Sequence, residues 1–432
     1  MHAKLLLGLI GLTWTMALQA EPAPLPEPLT LAAALAVADA EHPELAISQA
    51  RRDAADAGLQ ETLGLGDPQL SLVGELRYVE PPSGIGDQSN NDSQARLVAR
   101  QRLYDFGYSE AREQAASDAL QGADWDLLDA RQRHRLAVMQ AFFDVLLADM
   151  NYTRDNEAIA VAYIALDRAR DRQKLGQVSD VQLLELDSEY QQVRQSWNRS
   201  KLRQQITRAR LAQLLNRPDS PPSELQMPDP VDTRAPLPDE AELQQLALAD
   251  NPKLQALRAR VQAAEQQLAA ANKAYGPVLH GELGAATYAR KLGSRNDWEA
   301  GLVLEVPLYT GRAGDAAAAK ARAELAARRA ELQLAELELR HSVLENRLTL
   351  DDLKVRMEQV DTLGDYRELY LDRSRALYEM EVKTDLGDAM VQMSVVRLER
   401  AKVEFDWRLT QARLAAYTGR LIEDKQQGDK LP

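Results

Sequence analysis

The chain has 432 residues, a formal net charge of −14, 5% aromatic residues and no cysteine. So acidic a balance argues against nucleic acid as a partner, because a phosphate-binding chain needs a basic face. Without cysteine there are no disulfides, thiolate metal sites or cysteine nucleophile, and the chain is not lipidated at an N-terminal cysteine.

Residues 1–20 read as a cleaved secretory signal peptide. His2 and Lys4 precede an apolar run from Leu5 to Leu18, and Ala20 supplies a small residue before Glu21, with Ala17 as a second cleavage point. That run is too short to span a bilayer, and no other stretch approaches the ~18–20 apolar residues a membrane helix needs. An exported chain without a transmembrane helix is expected. A proline-rich lead, Pro22 to Pro28, opens a first unit over 21–217. It contains a short helix after Leu29-Thr30-Leu31, a medium helix from Pro43 to Leu63, and strands at about 68–79 and 94–105. A very long helix then begins near Ser109 and meets no breaker except Gly122 before Gly176, on the order of 100 Å at ~1.5 Å per residue. The chain turns and returns as a helix from Asp180 to Arg217.

Residues 218–238 carry seven prolines and form a linker that no regular helix or central strand accommodates. Residues 239–420 then write the same layout again, with strands at about 277–288 and 297–309, and residues 421–432 read as a flexible tail. His42-Pro43-Glu44-Leu45 returns as Asn251-Pro252-Lys253-Leu254. Leu103-Tyr104-Asp105-Phe106-Gly107 returns as Leu308-Tyr309-Thr310-Gly311, Val178-Ser179-Asp180 as Lys383-Thr384-Asp385, and the run ending at Arg217 as the run ending at Arg420. A nearly constant offset of about 205 residues joins the pairs, the signature of a tandem duplication. The helix lengths suggest that medium and returning helices stack end to end beside the long one.

The second long helix carries two apolar registers. Leu325, Leu332, Leu339, Leu353 and Val360 make one, interrupted by Asn346; Leu334, Leu348 and Val355 make the other, interrupted by His341. Two seams fit a helix with neighbours on both sides, and equally a helix buried in an ordinary bundle.

The strands alternate with period two. Leu70, Leu72, Trp298, Leu302, Leu304 and Val306 fall on apolar sides, and Arg96, Arg100, Arg102, Glu282, Glu299 and Glu305 on polar ones. Their length suits a tilted membrane strand, which needs ~9–11 residues, and Tyr78, Tyr104, Tyr288, Trp298 and Tyr309 stand near the ends. Four strands cannot close around a lumen, and open edges in lipid leave backbone groups unpaired. A membrane reading therefore demands more copies: three chains would close a 12-stranded β-barrel, the six charged residues lining its pore and the six apolar ones facing lipid. Two amphipathic hairpins on a soluble core would show the same alternation.

Taken together, Leu29-Thr30-Leu31, the His42 motif, Leu103-Tyr104-Asp105-Phe106-Gly107, Val306-Pro307-Leu308-Tyr309-Thr310-Gly311 and Leu175-Gly176-Gln177-Val178-Ser179 resemble the TolC-type outer-membrane efflux proteins. The resemblance implies a mainly α fold with membrane β: a homotrimer whose barrel sits in the outer membrane of a Gram-negative bacterium and continues into a periplasmic α-barrel. It also implies a periplasmic adaptor (membrane fusion) protein and an inner-membrane pump, such as a resistance–nodulation–division or ABC transporter, as partners. On that basis Gly176, Val178, Ser179, Glu381 and Thr384 are expected at the helix-turn tips that meet the adaptor, and Asp385, Asp388, Asp180 and Glu185 at the periplasmic gate. The second tip departs from the pattern, with Glu381 where Gly is frequent, and carboxylates after a tip also stabilise helix N-termini.

No catalytic constellation is visible. The five histidines, His2, His42, His134, His280 and His341, occupy separate contexts without metal-ligand spacing, so neither a metal nor a cofactor is expected. No phosphate-cradling glycine loop follows a strand, and no nucleophile elbow occurs. The rival reading is a soluble periplasmic coiled-coil adaptor or scaffold, which accounts for the helices but not for the paired strands. Cargo is not written in the sequence.

Overall fold

In a computed structural model, residues 25–422 are described apart from 40–41, 82–83, 85–86, 291–294, 381 and 383–384. Residues 1–24, where the signal peptide is expected, and residues 423–432 lie outside the described residues.

The first repeat comprises α1 (Leu31–Ala38), α2 (Pro43–Leu63), β1 (Gln69–Glu75), β2 (Gln94–Tyr104), α3 (Tyr108–Lys174) and α4 (Asp180–Leu214). The second comprises α5 (Glu240–Asp250), α6 (Pro252–Lys273), β3 (Val278–Tyr288), β4 (Trp298–Glu305), α7 (Ala313–Glu379) and α8 (Leu386–Tyr417). Both long helices have 67 residues, about 100 Å each. Local chemistry fixes the starts. Thr30 caps α1 and Asp239 caps α5, while Pro43 and Pro252 occupy first-turn positions where a missing N–H costs nothing.

Lateral packing orders the helices into an open wall. On one side α3 carries α2 and α4; on the other it carries α6 and α8, which pack in turn on α7. Two apolar clusters hold the wall at mid-length. One joins α1, α3, the end of α4 and α8 through Phe142, Phe143, Leu211 and Phe405, with Phe143 and Phe405 stacked at 4.6 Å. The other joins α5, α6, α7 and α8 through Leu254, Leu350, Leu353 and Trp407. Burial of such side chains is the main stabilising term, about 1.5–3 kcal/mol each. The prolines of the inter-repeat segment leave it irregular, and Leu225 pairs with Leu29 in a parallel bridge, tying the linker to the chain's entry.

The two registers of α7 separate here. Leu325, Leu339 and Leu353 are buried, whereas Leu334, Leu348 and Val355 (65% exposed) face away from every packed element. At the opposite edge of the wall, Leu202 and Ile206 of α4 are also exposed.

The four strands form one antiparallel sheet in the order β1-β2-β3-β4, so the two repeats pair side by side and β1 and β4 are its open edges. Two strands are shorter than the alternation suggests. After Glu75 the regular ladder stops, with Tyr78 pairing only as an isolated bridge to Asn91. β4 stops at Glu305 because Pro307 offers no N–H to a ladder. No described helix is long and apolar enough to cross a membrane.

Candidate functional site

Register decides which side chains share a face, and here it sorts them by chemistry. Leu70 and Leu72 lie opposite Ala99 and Leu97; Ala99 and Leu97 lie opposite Leu283 and Ala285; and these lie opposite Ala300 and Trp298. Leu304 opposes Leu279, and Leu302 opposes Gly281, on the same side. One face is therefore continuously apolar across four strands and exposed in the single chain: Leu72 is 74% and Leu302 72% accessible. Val306 lies just past the end of β4 and is exposed as well. A bare apolar sheet face of this extent requires a cover.

The other face gathers Arg96, Arg100, Arg102, Glu282, Glu299 and Glu305. Arg100 pairs with Glu282 at 2.5 Å, and Glu299 folds over Gly284, where a Cβ would meet its side chain at 2.8 Å. Arg102 shares the face by register, but its guanidinium turns to the strand-to-helix junction and donates to Asp105 at 3.2 Å and Ser109 at 3.3 Å. There Gly107 caps α3 with φ +87°, a conformation glycine adopts without strain, and Asp105 accepts from the Ser109 backbone N–H at 3.0 Å. Burial alone would raise the Asp105 carboxyl; the Ser109 hydrogen bonds and Arg102 outweigh it and hold it below the usual value.

At the sheet's loop end, buried Asp92 receives Arg77 at 3.5 Å and Arg295 at 2.8 Å. One carboxylate thus clasps both hairpins, a junction that no local motif announces.

The first helical turn lies at the far end of α3. Gly176 adopts φ +71°, Gln177 N–H returns to Arg172 O at 2.9 Å, and Ser179 closes a reciprocal capping box with Gln182 at the start of α4. A Cβ at Gly176 would meet nothing within 4 Å, so left-handed backbone, not crowding within the chain, is what selects glycine there. Val178 is half-buried, Ser179, Asp180 and Glu185 are exposed, and Asp180 accepts from Gln173 at 2.7 Å.

At the second turn Glu381 and Thr384 lie outside the described residues. Asp385 occupies the N-cap position of α8, yet its carboxylate makes no capping bond; it accepts from the Tyr370 hydroxyl of α7 at 2.9 Å. Asp388, one turn on, is exposed. Between them, Gly387 lets α8 approach α3 so closely that a Cβ would stand 2.7 Å from Val161. Tyr370 and Gly387 were not singled out by sequence, since neither stands in a motif.

Two histidines far apart in sequence also meet. The rings of His42 and His134 are 4.2 Å apart, and Glu44 lies beside them. Burial, then the neighbouring His42, push the His134 pKa below the ordinary histidine value.

A mixed fold of this kind, one small sheet continued by paired helices of about 100 Å in two repeats, defines an elongated two-repeat architecture. Residues 243–420 match the family model described as outer membrane efflux protein. Three solved structures share the fold over most of the chain. The CmeC outer membrane channel of Campylobacter jejuni is 14% identical, covering 92% of this chain and 87% of its own at a TM-score of 0.75. The open state of the Neisseria gonorrhoeae MtrE outer membrane channel is 15% identical (92% and 91%, TM-score 0.71). The outer membrane protein VceC of Vibrio cholerae is 17% identical (90% and 96%, TM-score 0.70). No curated protein matches at the sequence level. The second repeat is thus similar to the outer membrane efflux protein family, and the fold over most of the chain is that of these outer membrane channels.

Proposed function

We propose that the chain is the outer-membrane channel of a tripartite export system, conducting substrates passively from an inner-membrane pump and a periplasmic adaptor to the exterior. One observation carries this reading: a single sheet with one continuous, exposed apolar face, an opposite face bearing charges of both signs, and two open edges. In lipid, β1 and β4 must pair with other chains, because unpaired backbone there costs several kcal/mol per group. Three chains close twelve strands, with Leu70, Leu72, Leu302 and Leu304 towards lipid and Arg96, Arg100, Glu282 and Glu299 towards water.

The helical wall makes the same demand. Exposed Leu348 and Val355 at one edge and Leu202 and Ile206 at the other give each chain two unsatisfied seams, which neighbouring copies would cover in a cyclic assembly. The tip around Gly176, Val178 and Ser179, with the turn at Glu381–Thr384, is the proposed adaptor contact. Asp385 and Asp388 are the proposed gate, with Asp180 and Glu185 near the neighbouring turn. A soluble scaffold would leave the apolar sheet in water, so it is not favoured.

Crosslinking in intact outer membranes tests the assembly. A ladder ending at three, extractable only with detergent, is expected; a soluble monomer as the main species overturns the proposal.

A further inference from the structure

We infer that His42, His134 and Glu44 form a binding site for a divalent transition-metal ion of the zinc class, fastening the α1–α2 junction to the middle of α3. One ligand atom from each lies within 4.8 Å of the other two. An ion bound at ~2.0–2.1 Å places tetrahedral ligands about 3.4 Å apart, so the exposed Glu44 carboxylate and the half-buried His42 ring close by roughly 1 Å to seize it. Two imidazoles and a carboxylate form a donor set of the kind zinc takes, leaving a fourth position for water.

The second observation is the state of His134. It is 2% exposed, and neither ring nitrogen has a hydrogen-bond partner of good geometry among the described residues. A buried imidazole left so is unfavourable, and natural chains retain such groups where something outside the chain satisfies them. His42 is arranged to serve: its Nδ1 accepts the Glu44 backbone N–H at 3.2 Å, which fixes the ring and leaves Nε2 as the ligand atom. The carboxylates acting on His134 are Glu44 and Asp39, both favouring a cation. The Leu214 backbone is close enough to act on the ring as well, and its carbonyl is a suitable acceptor for the N–H directed away from the ion.

The duplication supplies an internal control. Since α3 and α7 are both 67 residues long, His134 corresponds to Leu339, which is buried in the second repeat's core. His42 corresponds to Asn251, whose Oδ1 caps Leu254 at 3.1 Å while its Nδ2 donates to Tyr417 O at 3.2 Å. Glu44 corresponds to Lys253. One half of the fold builds this junction with a leucine, a saturated asparagine and a lysine, so the fold does not require histidines. All three ligands fall in the other half, at one point.

The test uses the full chain, free of affinity tag, purified in detergent and stripped with chelator. Zn²⁺ is titrated by calorimetry, and Co²⁺ by visible absorption. One equivalent per chain is expected, with the intense cobalt bands of a four-coordinate site and a Tm that rises with Zn²⁺. His134→Leu and His42→Asn, each borrowing the other repeat's side chain, should assemble normally, bind Zn²⁺ at least ~100-fold more weakly and lose the Tm response. Failure of the wild type to bind Zn²⁺, or undiminished binding by both variants, overturns the inference.

Discussion

The lipid-facing assignment makes a quantitative claim at Leu283. This residue lies at the middle of β3, opposite Ala99 of β2 and Ala300 of β4, on the apolar face. It is 61% exposed in the single chain, so the protein itself contributes little to its burial. Were that face in water, Leu283→Lys would change stability by no more than about 0.5 kcal/mol, as surface substitutions do. Were it in lipid, the strands' length places Leu283 near mid-depth, where lysine costs about 2–4 kcal/mol per chain. Val98→Lys is the matched control. Val98 neighbours Ala99 but opposes Gly284 on the charged face, where water accepts the ammonium and the cost stays below about 1 kcal/mol. Urea unfolding of the reconstituted protein in phospholipid vesicles reads both. The Leu283 variant should unfold at clearly lower urea, or assemble in reduced amount, with the Val98 variant close to wild type. Equal midpoints for all three proteins would refute the assignment of the faces.

Three further outcomes are expected. Leu348→Asp combined with Val355→Asp should reduce the trimer in native gels of mild-detergent extracts without lowering the chain's helicity, since both side chains are exposed before assembly; an unchanged trimer would remove this seam. Gly176→Ala should cost about 1–2 kcal/mol through its left-handed φ alone and retain export, whereas Gly176→Trp should keep normal trimer levels and abolish export; export by the Trp variant would move the adaptor contact elsewhere. Tyr370→Phe removes a hydrogen bond to a carboxylate, worth about 1.5–3 kcal/mol, and should raise resting conductance in planar bilayers, while Asp385→Ala with Asp388→Ala should weaken cation selectivity and cation block; recordings identical to wild type would take these residues out of the gate.

The fold was legible where periodicity carries it. Alternation within a strand assigns Arg96 and Leu97 to opposite sides whatever the pairing, the register then sets Leu97 opposite Leu72, and the repeated motifs announce two copies of one layout. Contacts made by tertiary packing were not legible. Asp385 reads as a helix cap, and only the α7–α8 hairpin brings Tyr370 to its carboxylate. His134 reads as a polar interruption in a long helix, and its meeting with His42 depends on α2 lying along α3. A comparison of the repeats position by position, His134 against Leu339, was the one available signal.

The apolar stripes of α7 show how far each kind of knowledge reaches. Sequence reveals two registers and leaves open whether one chain buries both. Folding buries Leu339 and Leu353 against α6 and α8 and leaves Leu348 and Val355 facing outward, while α4 leaves Leu202 and Ile206 bare at the far edge. The sheet repeats that asymmetry, with β2 and β3 paired on both sides and β1 and β4 on one. Strand edges and helix edges thus stop at the same two flanks of the chain. A single neighbour could cover only one flank of each chain by a head-to-tail contact, and a ring covers both. In the proposed ring, the rotation that would pair β4 with the next β1 would also set α7 against the next α2 and α4, so barrel closure and helical closure would be one geometric event.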